Sequence, residues 1–239
     1  MVNISITENH KGSDNLFYLQ SCIGETLKSA ECYVKAETIS NRAKLTVSCP
    51  EYYADIIKAE VADKLAEIIA IKYKYDYFKD KLHLEGLAEK EREILLVSLI
   101  AADLDEDKKY AFDRIKNYSQ ISVDGIYNFR LQALKNKWEQ VVNCMPEYFL
   151  EAQLKEFLQY LLESKKKRIY IDNGSVFDNH YRKLKRCSLI DYQELPLIRE
   201  IILSNCGEIE VCGKLPEEDE KYIKEYYSGK IIFSTGYFN

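Results

Sequence analysis

The chain has 239 residues, and its 34 basic and 39 acidic side chains give a formal net charge of −5 at neutral pH. Apolar residues make up 46% of the sequence and charged residues 31%, values typical of a folded globular protein rather than a disordered tail. The acidic balance argues against bulk nucleic-acid binding. The longest uncharged apolar run, residues 94–102, is too short for a transmembrane helix, and the N-terminal residues show no secretory pattern. We therefore expect a cytoplasmic protein.

The first stretch, residues 1–84, combines strand and helix patterns. Residues 2–6 alternate between apolar and polar side chains, as in a half-buried strand. One apolar face predicts a helix over residues 14–28, and another helix is predicted from Pro50, which suits a first helical turn, to about Asp80.

A β-hairpin is predicted between these two helices. Residues 31–39 and 43–49 each alternate in polarity, and Ser40-Asn41-Arg42 between them can form a turn. The order of elements predicts a small α+β unit with its helices on one face of an antiparallel sheet.

The middle stretch, residues 85–167, reads as helical. Residues 89–102 contain a block of apolar side chains that predicts a buried helix, and residues 105–117 form a shorter amphipathic one. A long helix is predicted over residues 126–143, and Pro146 is predicted to open the next.

The last stretch, residues 168–239, alternates between short strands and helices. Strands are predicted at residues 169–171, 208–212 and 230–234. Helices are predicted over residues 194–204 and from Pro216 onward, Asn173-Gly174 predicts a tight turn, and Gly207 suits the left-handed position after a helix. This order predicts parallel β-α-β connections.

The predicted fold class is therefore α+β, in three consecutive parts. An N-terminal β-α-β-β-α unit covers residues 1–84, a helical region covers residues 85–167, and a small β-α-β-α-β sheet unit covers residues 168–239. We expect the helical region and the C-terminal unit to pack as one domain, because no linker rich in Pro, Gly or Ser separates them.

No motif in the sequence predicts a reaction, a metal or a cofactor. The three histidines are far apart, the seven cysteines are scattered without a Cys-x-x-Cys pair, and no glycine-rich phosphate loop or nucleophile motif occurs. We expect free thiols, no metal, no cofactor and no catalytic residues, and hence a protein that is not an enzyme.

Two basic clusters are candidate contacts for an anionic partner. They contain Lys165, Lys166, Lys167, Arg168, Arg182, Lys183, Lys185 and Arg186. If the intervening strand and turn fold back, the clusters form one positive face, and the alternative function is a nucleic-acid-binding module. The acidic chain favours the simpler interpretation, a solvated helix end and loop.

The most distinctive segment is Asp124 to Leu131. Asp124 precedes the predicted long helix and can cap it, with Gly125 beside it, while Phe129 is expected to face the core. Arg130 is expected either to extend to solvent or to pair with a buried carboxylate. A cap and an ion pair are favoured over a ligand site. An enzyme that combines Arg130 with dispersed carboxylates is a second alternative.

This segment, Asp-Gly-x-x-x-Phe-Arg-Leu at residues 124–131, resembles the hallmark of the YtxC-like family of sporulation proteins of endospore-forming Firmicutes. The acidic, aromatic helix at residues 151–158 and a later helix–strand pair at residues 197–203 and 209–211 are also similar. The resemblance covers about residues 87–235. It implies an intracellular protein linked to spore formation, and it supplies no catalytic residues.

These observations favour a sporulation-associated protein that acts through protein–protein contacts. The partner and the oligomeric state stay open. Tyr73, Tyr75 and Tyr77 are candidate contact residues, because tyrosine is enriched at interfaces. Packing of the same face against the protein's own body is the alternative.

Overall fold

The computed structural model describes residues 1–9, 13–163, 165 and 167–234, and these form two compact units. The first unit combines Met1–Lys74 with Asp105–Asn143, and the second combines Tyr75–Leu104 with the chain from Cys144 onward. Residues 105–143, part of the predicted helical region, thus belong to the unit that holds the N-terminal strands. Helices make up 57% of the structure and strands 20%, so the α+β fold class is confirmed.

A four-stranded sheet forms the base of the first unit. Its strands are β1 (Val2–Asn9), β2 (Tyr33–Ile39), β3 (Arg42–Cys49) and β4 (Gln120–Ser122). The order across the sheet is β2-β3-β1-β4, with β4 parallel to β1 and the other pairs antiparallel. β4 was not predicted from the sequence. Because β4 runs parallel to β1, the sheet is not purely antiparallel as predicted.

The predicted hairpin is confirmed. Ser40 and Asn41 have φ angles of 48° and 63°, and Ile39 pairs directly with Arg42. Two positive φ angles in a two-residue loop match the twist of the flanking strands, as in a type I′ turn. Arg42 therefore opens β3 instead of belonging to the turn.

The helices of the first unit cover part of this sheet. They are α1 (Ser13–Ser29), α2 (Ala54–Ile68), a π-helical segment (Ile69–Tyr73), α5 (Leu104–Ile115), α6 (Val123–Arg130) and α7 (Gln132–Cys144). The prediction of a single long helix over residues 126–143 is wrong. This segment forms two helices, because α6 ends at its C-cap residue Leu131, whose side chain is fully buried.

The second unit contains another four-stranded sheet. Its strands are β5 (Arg168–Asp172), β6 (Ser175–Phe177), β7 (Glu208–Cys212) and β8 (Ile231–Ser234), in the order β6-β5-β7-β8. β5, β7 and β8 run parallel, as the predicted β-α-β connections require. The predicted Asn173-Gly174 turn is confirmed, since both residues have positive φ and β6 pairs back on β5.

The helices of this unit are α3 (Lys74–Lys81), whose first residue still belongs to the first unit, α4 (Glu89–Ala102), α8 (Glu151–Glu163), α9 (Pro196–Ser204) and α10 (Glu217–Tyr226). The apolar block of α4 is buried as predicted, and α4 packs on α9. Pro146 does not open a helix. The chain after it is extended, and Glu85 exchanges backbone hydrogen bonds with Glu147 and Phe149. In the described ranges, no helix combines the length and the apolar character that crossing a membrane requires.

Gly207 has a different role from the one predicted. The left-handed residue after α9 is Asn205, with a φ of 56°, and Gly207 instead lies against the backbone of Lys165. A Cβ atom at Gly207 would be 2.1 Å from the carbonyl oxygen of Lys165. The Gly207 N–H also donates to the carbonyl of Lys167 at 2.9 Å. Glycine is therefore required here by close approach of two backbone segments.

We expect Gly207→Ala to lower the stability of the second unit by about 2–3 kcal/mol, because the backbone has to shift to admit the methyl group. Gly24→Ala is the matched control. Gly24 lies within α1, and a Cβ atom there would have no neighbour within 4 Å, so alanine should stabilise the helix by up to about 1 kcal/mol. Thermal unfolding followed by circular dichroism measures both. An unchanged midpoint for Gly207→Ala would contradict the close approach.

Candidate functional site

Asp124 forms a two-pronged ion pair with Arg42 at one end of the first sheet. Arg42 Nη1 donates to Asp124 Oδ2 at 3.0 Å, and Nη2 donates to Oδ1 at 2.5 Å. Nη2 also donates to Ser122 Oγ at 3.1 Å, and that hydroxyl donates to Asp124 Oδ1 at 3.0 Å. Burial acts to raise the pKa of Asp124, but the hydrogen bonds from Arg42 and Ser122 outweigh it and hold the pKa below its ordinary value.

The helix cap is Ser122 rather than Asp124. Ser122 Oγ accepts the backbone N–H of Gly125 at 3.3 Å, and Asp124 lies in the first turn, where a negative charge complements the helix dipole. A Cβ atom at Gly125 would be 2.8 Å from Ser122 Oγ. Asp124 and Gly125 therefore serve the junction between β4 and α6.

Phe129 and Arg130, the other half of the motif, lie on the surface. The prediction that Phe129 faces the core is wrong, since its side chain is 85% exposed. The break at Leu131 explains the error, because the apolar stripe read across residues 126–143 belongs to two helices with different buried faces. The guanidinium of Arg130 lies 5.4 Å from the ring centre of Tyr118. Among the described residues it has no carboxylate partner, so the motif does not assemble into one site.

Glu8 is a buried carboxylate close to this ion pair. It lies at the end of β1, 1% exposed, and its Oε1 accepts hydrogen bonds from Asn15 Nδ2 at 2.8 Å and Tyr73 Oη at 2.6 Å. Its Oε2 has no hydrogen-bond partner within the described part of the chain. The π-helical segment places Tyr73 there, and such segments are frequent at functional sites.

Burial raises the pKa of Glu8 from 4.5 to about 7, although the hydrogen bonds from Tyr73 and Asn15 act in the opposite direction. Burial and the nearby Glu8 charge also raise the pKa of Tyr73, which therefore stays a neutral hydrogen-bond donor. Glu8 is a carboxyl group that changes charge near neutral pH inside the fold.

The raised pKa of Glu8 makes stability depend on pH. Between pH 4.5 and 7 the folded state holds a proton that the unfolded state has lost, so stability falls as the pH rises through this window. The loss of stability is about 3 kcal/mol for a pKa shift of this size.

Glu8→Gln should remove this pH-dependent loss of stability, because the amide oxygen still accepts both hydrogen bonds that Oε1 accepts and the side chain cannot ionise.

Urea unfolding at pH 5 and pH 8 measures this difference. The wild-type protein should be less stable at pH 8 by the stated amount, and Glu8→Gln should show a smaller change. The exposed carboxylate Glu139 on α7 is the control, and Glu139→Gln should behave like the wild type. An equal pH dependence in Glu8→Gln would show that Glu8 is ionised in the folded protein at both pH values.

Two further buried polar clusters were missed by sequence reasoning. In the first unit Asp107 accepts hydrogen bonds at 2.8 Å from Lys74, Lys137 and the indole of Trp138. The polarity pattern does not reveal these contacts, because they join helices that are far apart along the chain.

The cluster in the second unit is centred on Arg199. This arginine is 2% exposed, and its Nη2 donates to the carbonyl of Tyr192 at 2.5 Å. Its Nε and Nη1 have no partner among the described residues, and neither does Oε1 of buried Glu93, whose Oε2 accepts from Tyr75. Such unpaired groups can be satisfied by a small polar molecule such as water.

None of the three tyrosines proposed as contact residues is fully exposed. Tyr75 is buried on Glu93, and Tyr73 is bound to Glu8. Tyr77 is half-buried. The alternative, packing against the protein's own body, is therefore correct for Tyr73 and Tyr75.

The two basic clusters are partly neutralised. The chain does fold back, since the backbones of Lys183 and Phe177 form an isolated antiparallel β-bridge. Arg168, however, binds Glu208 through Nε at 2.9 Å and Nη2 at 2.7 Å, and Arg182 binds Asp178 at 2.9 Å.

Arg186 is also engaged, because its Nη1 donates to the carbonyl of Leu203 at 2.8 Å. Lys183 and Lys185 are exposed, whereas Lys165 is half-buried. Lys167 lies in the segment before β5, and Lys166 lies outside the described residues.

No group of three potential metal ligands occurs within the described ranges.

β2 is an edge strand of the first sheet, and its outer side is open. β2 pairs with β3 on one side only, and no other described strand lies along its second side. A groove runs between this edge and α1. Its lining includes Leu16, Phe17, Ala36, Thr38, Ala43 and Leu45.

Apolar side chains flank this groove and edge. Phe17 on α1 is 74% exposed, Tyr33 at the start of β2 is 73% exposed, and Ile39 at its end is 47% exposed. An open strand beside exposed apolar side chains is the arrangement by which a sheet accepts an additional strand. We call the outer side of β2 together with this groove the β2 edge.

Comparison with known proteins found no matching family model, no matching curated protein and no matching solved structure.

Proposed function

We propose that the protein acts through protein–protein contact and that the β2 edge is its contact surface. The single observation that carries this proposal is the seven-residue open strand flanked by exposed Phe17, Tyr33 and Ile39. An extended segment of a second polypeptide can pair with the free backbone groups of β2 and cover these side chains. The resemblance of residues 124–131 to the YtxC-like family supports a cytoplasmic role in sporulation.

The alternatives have less support. A nucleic-acid-binding module needs free cations, and Arg168 and Arg182 are already paired with carboxylates. The enzyme alternative combined Arg130 with carboxylates, and Arg130 lies on Tyr118 instead. By contrast, the outer side of β2 has no neighbouring strand among the described residues, so a partner strand can pair with the β2 edge as it stands.

Site-specific photo-crosslinking in cells tests this proposal. A photoreactive residue at Tyr33 should form adducts with another polypeptide, because Tyr33 borders the open edge. The same residue at Tyr160 on α8 is the control, since Tyr160 is 70% exposed and lies in the other unit. Equal adduct yields at the two positions, or none at Tyr33, would contradict the proposal.

Dependence on the strand edge is tested in the same assay with Ala36→Pro. Proline removes a backbone donor and is a natural device for blocking strand edges. Adducts at Tyr33 should fall about tenfold, as expected from losing backbone hydrogen bonds at the interface. Ala36→Val keeps the N–H group and should retain the adducts. Circular dichroism confirms that each variant is folded.

A further inference from the structure

We propose that the partner of the β2 edge is a second copy of this chain, paired antiparallel with Ala36 opposite Ala36. The inference rests on the proposed function, since both use the same edge, and it names the occupant. Pairing in this way joins two four-stranded sheets into one continuous sheet of eight strands, with β2 of each copy at the centre.

The hairpin determines which backbone groups of β2 are free. A two-residue turn is closed by a hydrogen-bonded pair, here Ile39 and Arg42. Hydrogen-bonded positions then recur every second residue along β2. The N–H and C=O groups of Val34, Ala36 and Thr38 therefore point away from β3 and toward the open edge.

These free groups match each other when two copies of β2 run antiparallel about Ala36. The two Ala36 residues then exchange both backbone hydrogen bonds, and Val34 of each copy does the same with Thr38 of the other. In this register Tyr33 lies opposite Ile39, an aromatic and β-branched pair of the kind that stabilises sheets.

The charged residues of β2 are also complementary in this register. Lys35 of one copy lies opposite Glu37 of the other, and the symmetry forms this pair twice. Lys35 and Glu37 already share a face of the strand, with Lys35 Nζ 2.6 Å from Glu37 Oε2. Both are at positions where the backbones are not hydrogen-bonded to each other, which brings opposite side chains closer together.

Neighbouring symmetric registers are disfavoured by the same charges. A two-fold axis perpendicular to the sheet keeps the equivalent faces of the two copies on the same side. In each symmetric register one residue of β2 therefore lies opposite its own copy, and the registers next to the proposed one are centred on residue 35 or on residue 37. One neighbour places Lys35 opposite Lys35, and the other places Glu37 opposite Glu37. Like charges directly opposite are destabilising, so the charge pattern selects the register centred on Ala36.

The exposed side chain of Phe17 fits this arrangement. Ala36 and Thr38 lie opposite Leu45 and Ala43 of β3, on the face of the sheet that α1 partly covers. The two-fold axis places both copies of α1 on that same face, so the two grooves join and each Phe17 borders the shared space. Its apolar surface is thereby removed from water.

The other sheet edges are less suited to this pairing. β4 has three residues and β8 has four, whereas β2 has seven. The edge of β6 is flanked by the following chain, since the N–H of Leu184 donates to the carbonyl of Val176 at 2.8 Å. Two paired seven-residue strands make a small interface, so we expect a dimer that dissociates at micromolar concentrations.

Sedimentation equilibrium of the purified full chain tests the register by charge reversal. Lys35→Glu places carboxylates opposite one another across the axis, and Glu37→Lys places ammonium groups opposite one another. Each variant alone should dimerise about tenfold more weakly than the wild type. An equimolar mixture should recover dimers, because every cross-strand pair between the two variants is again of opposite charge.

A second pair of variants keeps the test independent of the ion pairs within one copy. Ala36→Lys and Ala36→Glu place like charges at the axis, so each alone should be monomeric and their mixture should form heterodimers. Thermal unfolding at a concentration where all variants are monomeric confirms that they are folded. Amide hydrogen exchange should show concentration-dependent protection at Val34, Ala36 and Thr38.

A wild-type chain that stays monomeric, or mixtures that recover no dimer, would overturn the inference. Failure here is distinguishable from failure of the proposed function. If the photoreactive residue at Tyr33 still forms Ala36→Pro-sensitive adducts with a different protein, the β2 edge is a contact surface for that protein and not for self-pairing. If no adduct forms at all, the proposed function fails as well.

Discussion

The parallel pairing of β4 with β1 is the constraint on which the first unit depends. Residues 120–122 lie beside residues 5–7, which joins two segments separated by more than half of that unit's sequence. This pairing brings Ser122 and Asp124 to the end of the sheet where β3 begins, and Arg42 at that point can bind both. The ion pair thus stabilises a strand that is only three residues long.

Burial of polar groups beside this junction gives the first unit its particular chemistry. Glu8 is the penultimate residue of β1, the strand that β4 pairs with, and its carboxyl group accepts hydrogen bonds from Asn15 and Tyr73, which lie in two different helical segments. Asp107 is satisfied in a similar way by donors from other helices. These clusters lie inside the fold, whereas the β2 edge, at the opposite side of the same sheet, carries free backbone groups at the surface.

Local signals made much of the fold predictable. The Ser40-Asn41 turn, the apolar block of α4 and the Asn173-Gly174 turn each carry their conformation in adjacent residues, and the structure contains them. β4 was missed because three residues are too few to show alternation and its partner strand is distant in sequence. The break at Leu131 was missed because neither glycine nor proline marks it.

The candidate site was less predictable than the fold. The alternation of Ile4, Ile6 and Glu8 along β1 places Glu8 on the buried face, so its burial could have been read from the pattern. Its partner Tyr73 depends on a π-helical segment, which leaves no clear mark in the sequence. Asp124 was singled out from the sequence as a helix cap, but the cap is Ser122. Its partner Arg42 is in another part of the chain, and only tertiary structure reveals this ion pair.

The interleaving of the two units has a consequence for synthesis on the ribosome. The first unit begins at Met1 and is complete only at Asn143, after Tyr75–Leu104 of the second unit has been made. At about 5–20 residues per second, β1 precedes β4 by on the order of 10 s. During that interval the three strands β1, β2 and β3 form a sheet with two open edges, the outer sides of β2 and β1. A chaperone that shields exposed strands early in translation would therefore bind β1 and be displaced when β4 pairs with that strand.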